Sequence, residues 1–276
     1  MFDTHMQERR SRRAQQRAKQ NGASFLVQRA AEDAASRLLD INRTFQRALF
    51  IGQPNFMEQV LLNLPPEKHP KQCEFDHYAI GQADDAGTPA YDLVISGLAL
   101  HGSNDPLQDL SAARKILKAD GLMMACLFGR ETLQELRQAF YQADDLRFGG
   151  QMPRIYPFTD HTGAAALLER AGFALPVVDI DRFTVTYKNL HRLIVDIRDL
   201  GESNSLTQRH RAYLGKAYFT ALEKAYKRSG DAKTFPASFE ILWLTGWTPH
   251  SSQQKPLKPG SADISLSDAL ENIRKM

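Results

Sequence analysis

One run of six residues limits the possible folds more than any other feature of the chain. Tyr91-Asp92-Leu93-Val94-Ile95-Ser96 is apolar on both faces, as a strand must be when it lies inside a parallel sheet with helices above and below it. Leu122 to Phe128 is a second such run, entered through an Asp120-Gly121 turn, and Ala48-Leu49-Phe50-Ile51-Gly52 is a third, ending on a glycine. Between them the apolar spacing becomes helical. Phe25, Leu26, Ala30, Ala34 and Leu38 mark a helix over 24–40, and Phe56 to Leu64 resumes the pattern until Pro65-Pro66 stops it. Alternation of these two periods predicts an α/β fold, a sheet covered by helices.

Further helices are predicted over 105–118, with Asp105 as cap and Pro106 in the first turn, over 131–145, and over 160–171, closed by Gly172. Cys73 to Ile80 is another strand candidate. The last third changes character: Val177 to Tyr187 and Phe239 to Trp247 read as two strands separated by helices over 190–200 and 208–228. That pattern suggests a strand pair carrying a helical insertion. The expected organisation is a basic arm (1–23), a core (24–187), a helical insertion or lid (188–236), a final core strand (237–250) and a tail (251–276).

With 276 residues, 42% of them hydrophobic and 24% charged, the chain can bury a full core. Its longest uncharged apolar stretch, Gly121 to Gly129, is far shorter than the ~20 residues of a membrane span. No apolar segment of the secretory type opens the sequence, so a cytoplasmic protein is expected. Cys73 and Cys126 read as small buried hydrophobes. The net charge of +3 conceals an asymmetry, because residues 1–30 hold seven Lys and Arg against two acids. Such an arm suits an acidic protein surface, an anionic membrane or nucleic acid, or is simply a solvated helix face. The body has no basic stripe with interleaved aromatics, so no nucleic-acid partner is expected and docking on a protein partner is favoured.

The chain has no Gly-x-Gly, no Gly-Lys-Ser/Thr and no Gly-x-Ser-x-Gly. The dinucleotide fingerprint, the phosphate loop and the nucleophile elbow are therefore missing. The eight histidines include no i, i+4 pair, and no metal site is expected.

The strand Tyr91 to Ser96 with its sequel Gly97-Leu98-Ala99-Leu100-His101 and Asn104-Asp105, and the segment Ile116-Leu117-Lys118-Ala119-Asp120-Gly121-Leu122, resemble class I methyltransferases. Phe128 to Arg137, Tyr156-Pro157-Phe158-Thr159 and Gly201-Glu202-Ser203-Asn204 are similar to one branch of them. That branch contains the methyltransferase-like assembly factor of respiratory complex I, described as a protein-arginine hydroxylase; the carrier-protein methyltransferase of biotin synthesis is a more distant relative. The likeness runs from Phe2-Asp3 to Gly246-Trp247 and on to Gly260-Ser261-Ala262. It implies a Rossmann-like sheet, S-adenosylmethionine as cofactor, and Gly52, Asp76, Asp84, Ser96, Gly97 and Leu98 as the positions beside that cofactor.

The sequence departs from the family at the end of its first strand. The resemblance implies an acid there, followed by a Gly-x-Gly-x-Gly turn; here the run is Phe50-Ile51-Gly52-Gln53-Pro54-Asn55-Phe56. Phe50 replaces the acid, Gly52 alone remains of the glycines, proline at 54 removes an N–H, and Phe56 adds a ring. A ligand group left unpaired costs about 1–3 kcal/mol, so several such losses predict that the usual cofactor site is gone. Only 39 residues separate Gly52 from Asp92, where the family places two strands; a sheet reduced by about one strand is expected.

Two functions follow. In the first, the fold has lost standard cofactor binding and serves as an assembly or interaction factor. In the second, it remains a methyltransferase or arginine hydroxylase with a modified pocket. The candidate catalytic residues are His101, Tyr156, Glu202 and Asn204. Each has a plainer alternative: a loop histidine bonded to backbone, an aromatic packing a lid, and a polar turn. Trp243 and Trp247 read as core.

Overall fold

The computed structural model describes residues 1–53, 55–76, 89–211, 213–227 and 234–254. Its centre is a six-stranded sheet among the described residues, ordered β2-β1-β3-β4-β6-β5. The strands are β1 (Arg47–Gly52), β2 (Gln72–Asp76), β3 (Tyr91–Gly97), β4 (Leu117–Phe128), β5 (Ala174–Tyr187) and β6 (Phe235–Trp247). The first four run parallel to one another, and β6 runs antiparallel to both β4 and β5.

Strand periodicity sorts the core into two layers. Phe50 of β1, Leu93 and Ile95 of β3, and Met124 and Cys126 of β4 point to one face; Ile51, Val94, Met123 and Ala125 point to the other. The first face is covered by α2 (Phe25–Leu39), α3 (Phe56–Leu62), α5 (Gln134–Phe148) and parts of α7 (Leu190–Asp199) and α8 (Gly215–Ala225). The second is covered by α4 (Pro106–Ile116) and α6 (His161–Arg170). The double-sided apolar runs of β3 and β4 are thus central strands, as their composition requires. The Rossmann-like methyltransferase sheet follows, with α7 and α8 inserted between the paired strands β5 and β6.

Several boundaries move. β4 begins at Leu117, and Asp120, expected in a turn before the strand, sits within it at φ 59°. The helix expected over 208–228 begins at Gly215. Between Gly52 and Asp92 the described residues hold one strand, β2, and its register (Ala48↔Cys73, Ile51↔Asp76) seats it directly against β1. The predicted caps are present, Asp105 accepting from Gln108 N–H and Gly172 taking φ 81° after α6; Asp160, expected as the first residue of its helix, is instead its cap and accepts from Gly163 N–H.

The basic arm is α1 (Thr4–Asn21), capped by Asp3. Only Ala14 of this helix is fully buried, which is why apolar spacing gives no sign of it. Charge and hydrogen bonding hold it in place: Arg17 pairs with Asp199, and Gln7 Nε2 donates to the Gly102 carbonyl at 2.7 Å. Phe2 is buried and bridges to Leu206. No helix among the described residues is long and apolar enough to cross a membrane.

Candidate functional site

The chain leaves β1 to form β2 on one side and returns to form β3 on the other, so a crevice is expected where β1 and β3 end. Gly52 pairs with Gly97, and Ile51 pairs with Ser96, which brings Gly52, Ser96, Gly97 and Leu98 together. Asp76 ends β2 at the level of Ile51; its side chain, Asp84, Asp85 and Pro54 lie outside the described residues.

Phe56 packs into the end of this crevice, and Phe50 and Phe56 are both 0% exposed. A Cβ on Gly97 would come within 2.5 Å of Cε1 and Cγ of Phe56, so the ring lies flush against bare backbone. Gly52, at φ 136°, approaches Gly97 so closely that a Cβ would stand 2.9 Å from the Gly97 carbonyl carbon. Both glycines serve contact within the chain. The Gln53 N–H is also spent, donating to the Gly97 carbonyl at 3.2 Å.

A polar cluster lies beside this plug. Phe128 N–H donates to His101 Nδ1 at 3.4 Å. His101 Nε2 stands 3.1 Å from Glu202 Oε2 without an aligned hydrogen bond, with the His101 side chain 1% exposed. Gln53 Nε2 donates to Glu202 Oε1 at 2.8 Å. Tyr156 Oη lies 2.5 Å from Ser205 Oγ and donates to the Ser203 carbonyl at 3.1 Å. The guanidinium of Arg10 donates to that same carbonyl. Burial, assisted by the nearby Glu202 charge, pushes the Tyr156 phenol up to about 12, so it stays neutral and can donate. Burial also holds the Arg10 guanidinium below its ordinary value.

Glu202 and Tyr156 face a cavity of about 560 Å³ between α5, α7 and the segment 153–158. A second cavity, of about 570 Å³, lies across that segment and shares Tyr156 and Phe158 with the first. Its outer wall includes Leu206 and Thr207. The segment is anchored by Arg154, whose guanidinium grips Asp144 with contacts down to 2.5 Å. Tyr218 of α8 donates to the same carboxylate at 2.6 Å. Asp144 is 0% exposed, and this buried triad fastens the insertion to α5.

Three of the four candidate catalytic residues therefore converge. Asn204 instead shapes its own loop: its Nδ2 donates to the Pro153 carbonyl at 2.7 Å, and its Oδ1 accepts from Leu206 N–H. Sequence reasoning missed Gln53, Ser205 and Arg10. The first two carry no motif, and Arg10 is one of a crowd of basic residues. Among the described residues no three His, Cys, Asp or Glu side chains gather as a metal-ligand set.

Sheet order, crevice and insertion together define a protein of the class I methyltransferase fold. No protein-family model matches the chain. It is 32% identical to the arginine-hydroxylase NDUFAF5, mitochondrial, of Danio rerio, over 100% of this chain and 91% of that protein. It is 39% identical to the Dictyostelium discoideum protein of the same name over 64% of this chain, spanning 41% of the relative's length. The chain belongs to the family of the arginine-hydroxylase NDUFAF5. It is also 33% identical to a malonyl-[acyl-carrier protein] O-methyltransferase of Laribacter hongkongensis, over 61% of this chain and 55% of that one. Among solved structures, the YcgJ protein of Bacillus subtilis covers 80% of this chain and 98% of its own, with TM-score 0.50 and 9% identity, a likeness of fold alone.

Proposed function

We propose that this chain is an assembly factor of methyltransferase fold that acts by binding a protein partner, a respiratory-complex subunit, and does not hold S-adenosylmethionine in the crevice between β1 and β3. The observation that carries the reading is the Phe56 ring packed on Gly97. S-adenosylmethionine brings a sulfonium, an ammonium, a carboxylate and ribose hydroxyls, all of which need polar partners or lose about 1–3 kcal/mol each. The side chain packed on Gly97, Phe56, offers none. Family membership supports the assembly role, and the late motifs Tyr156 and Gly201 to Asn204 form an ordered surface beside the plug. The reading keeps the protein cytoplasmic, where the named relatives are mitochondrial; cell fractionation decides between the two. Nucleic acid is not a partner on this reading.

Calorimetric titration with S-adenosylmethionine is the test. No heat at micromolar cofactor is expected, and a dissociation constant in the low micromolar range overturns the reading.

A second reading rests on Glu202, a carboxylate that faces the cavity with one oxygen bonded by Gln53 and the other beside His101. A carboxylate so placed is a receptor for a guanidinium, which suits the arginine hydroxylase that the relatives are named for. Deleting the gene and complementing it with Glu202→Gln separates the two: an assembly factor restores the complex, whereas a hydroxylase leaves the partner's arginine without its added oxygen in mass spectrometry.

A further inference from the structure

The cavity beneath the insertion joins two surfaces of opposite character. Leu133, Leu136 and Phe140 of the α5 side and Ile194 and Ile197 of α7 give it apolar walls. Five arginines also line it, Arg10, Arg154, Arg198, Arg209 and Arg211, against one carboxylate, Glu202. Two of the five are neutralised, Arg154 by Asp144 and Arg209 by Asp3. Arg10 is bonded to the Ser203 carbonyl, and Glu202 is engaged by Gln53 and His101.

Arg198 and Arg211 are different. Both are exposed, which puts them at the mouth, and neither guanidinium has an ion-pair or hydrogen-bond partner among the described residues. Beside them His210 lines the cavity with a buried Nδ1 that has no hydrogen-bond partner among the described residues. A guanidinium is charged at every working pH and presents a planar fork of donors. An occupant that answers both surfaces needs a single anionic head and an apolar tail.

We propose that this cavity binds a medium-chain fatty-acid carboxylate, its chain between Leu136 and Ile197 and its head at Arg198 and Arg211. A volume near 560 Å³ falls inside the range of roughly 300–1,000 Å³ typical of small-molecule sites, which are mostly apolar with a few placed polar groups. The charge on the mouth selects a carboxylate over a neutral alcohol of equal length and opposes a cation. The inference concerns a space apart from the crevice that Phe56 fills, and it stands whether or not a protein partner docks on this face.

Calorimetry on the full chain with dodecanoate below its micelle concentration tests it, alongside dodecanol and dodecyltrimethylammonium. Dodecanoate is expected to bind one to one in the micromolar range, ahead of the alcohol, with the cation weakest. The double variant Arg198→Gln/Arg211→Gln is expected to weaken dodecanoate by about tenfold or more, as loss of a charge-assisted contact implies, with an unchanged melting temperature. Ile197→Trp, which adds bulk to the part-buried wall on α7, is expected to abolish binding. Equal affinity for the three probes, or for the double variant and the parent chain, overturns the proposal. So does binding only to phosphatidylglycerol vesicles, which would assign the two arginines to a membrane surface.

Discussion

The crevice at the ends of β1 and β3 and the cavity beneath α7 lie on the same side of the molecule, yet chemistry treats them oppositely. The crevice is where an open α/β sheet offers a ligand site, and here the Phe56 ring lies on the bare backbone of Gly97, which in turn meets Gly52. The neighbouring cavity keeps its volume and gathers Arg10, Tyr156 and Glu202. On the proposed reading a fold retains its architecture while its binding space moves, because the sheet is stabilised by burial and is indifferent to which concavity stays empty.

The largest effect expected in breaking this contrast comes from the plug. Phe56→Ala removes a fully buried ring and is expected to cost about 3–5 kcal/mol, the range for large-to-small aromatic changes in cores, read as a lowered urea midpoint; a cost below about 1 kcal/mol would show that the ring is not part of the core. Arg154→Ala leaves the Asp144 carboxylate buried with Tyr218 alone and is expected to cost about 3–5 kcal/mol, with the insertion loosening first in hydrogen exchange. Alkali comes next. Burial raises the phenols of Tyr156, Tyr187, Tyr218 and Tyr226 above their ordinary value near 10, Tyr156 to about 12. A raised folded-state value means stability is complete below about pH 10 and falls as pH climbs toward 12; thermal melts from pH 8 to 11.5 check it, and a flat profile would contradict it.

Smaller effects sharpen the contrast on the polar side. Glu202→Ala removes the charged acceptor of the 2.8 Å bond from Gln53 Nε2 and is expected to cost about 1–3 kcal/mol, with the plug intact, as measured by chemical denaturation. Arg17→Ala removes a partly exposed pair with Asp199 and is expected to cost less than about 1 kcal/mol. If that change rivalled Phe56→Ala, this one pair would carry most of the anchoring of α1, which it shares with Gln7, Phe2 and Ala14.

How much of this was legible in the sequence depended on which signal each part carries. β3 and β4 announced themselves because burial on two faces demands unbroken apolar runs. Asp105, Asp160 and Gly172 marked helix ends because a cap is a local event. The plug was half visible: Phe50 and Phe56 stand out as wrong for a cofactor turn, but only coordinates show the Phe56 ring against Gly97. The His101–Glu202 contact spans 101 positions, and no periodicity links residues so far apart. α1 was hidden by its own polarity. Its inward contacts come from Gln7, Arg10 and Arg17, residues whose composition reads as solvent-facing whichever way they point.

The clasp between α1 and the loop after α7 has a temporal side. Arg10 finds the Ser203 carbonyl 193 positions downstream, so α1 leaves the ribosome well before the loop that clasps it. At about 5–20 residues per second that interval is roughly 10–40 s, during which its arginines face the surrounding medium. A nascent chain thus offers its positive charge early and withdraws part of it late.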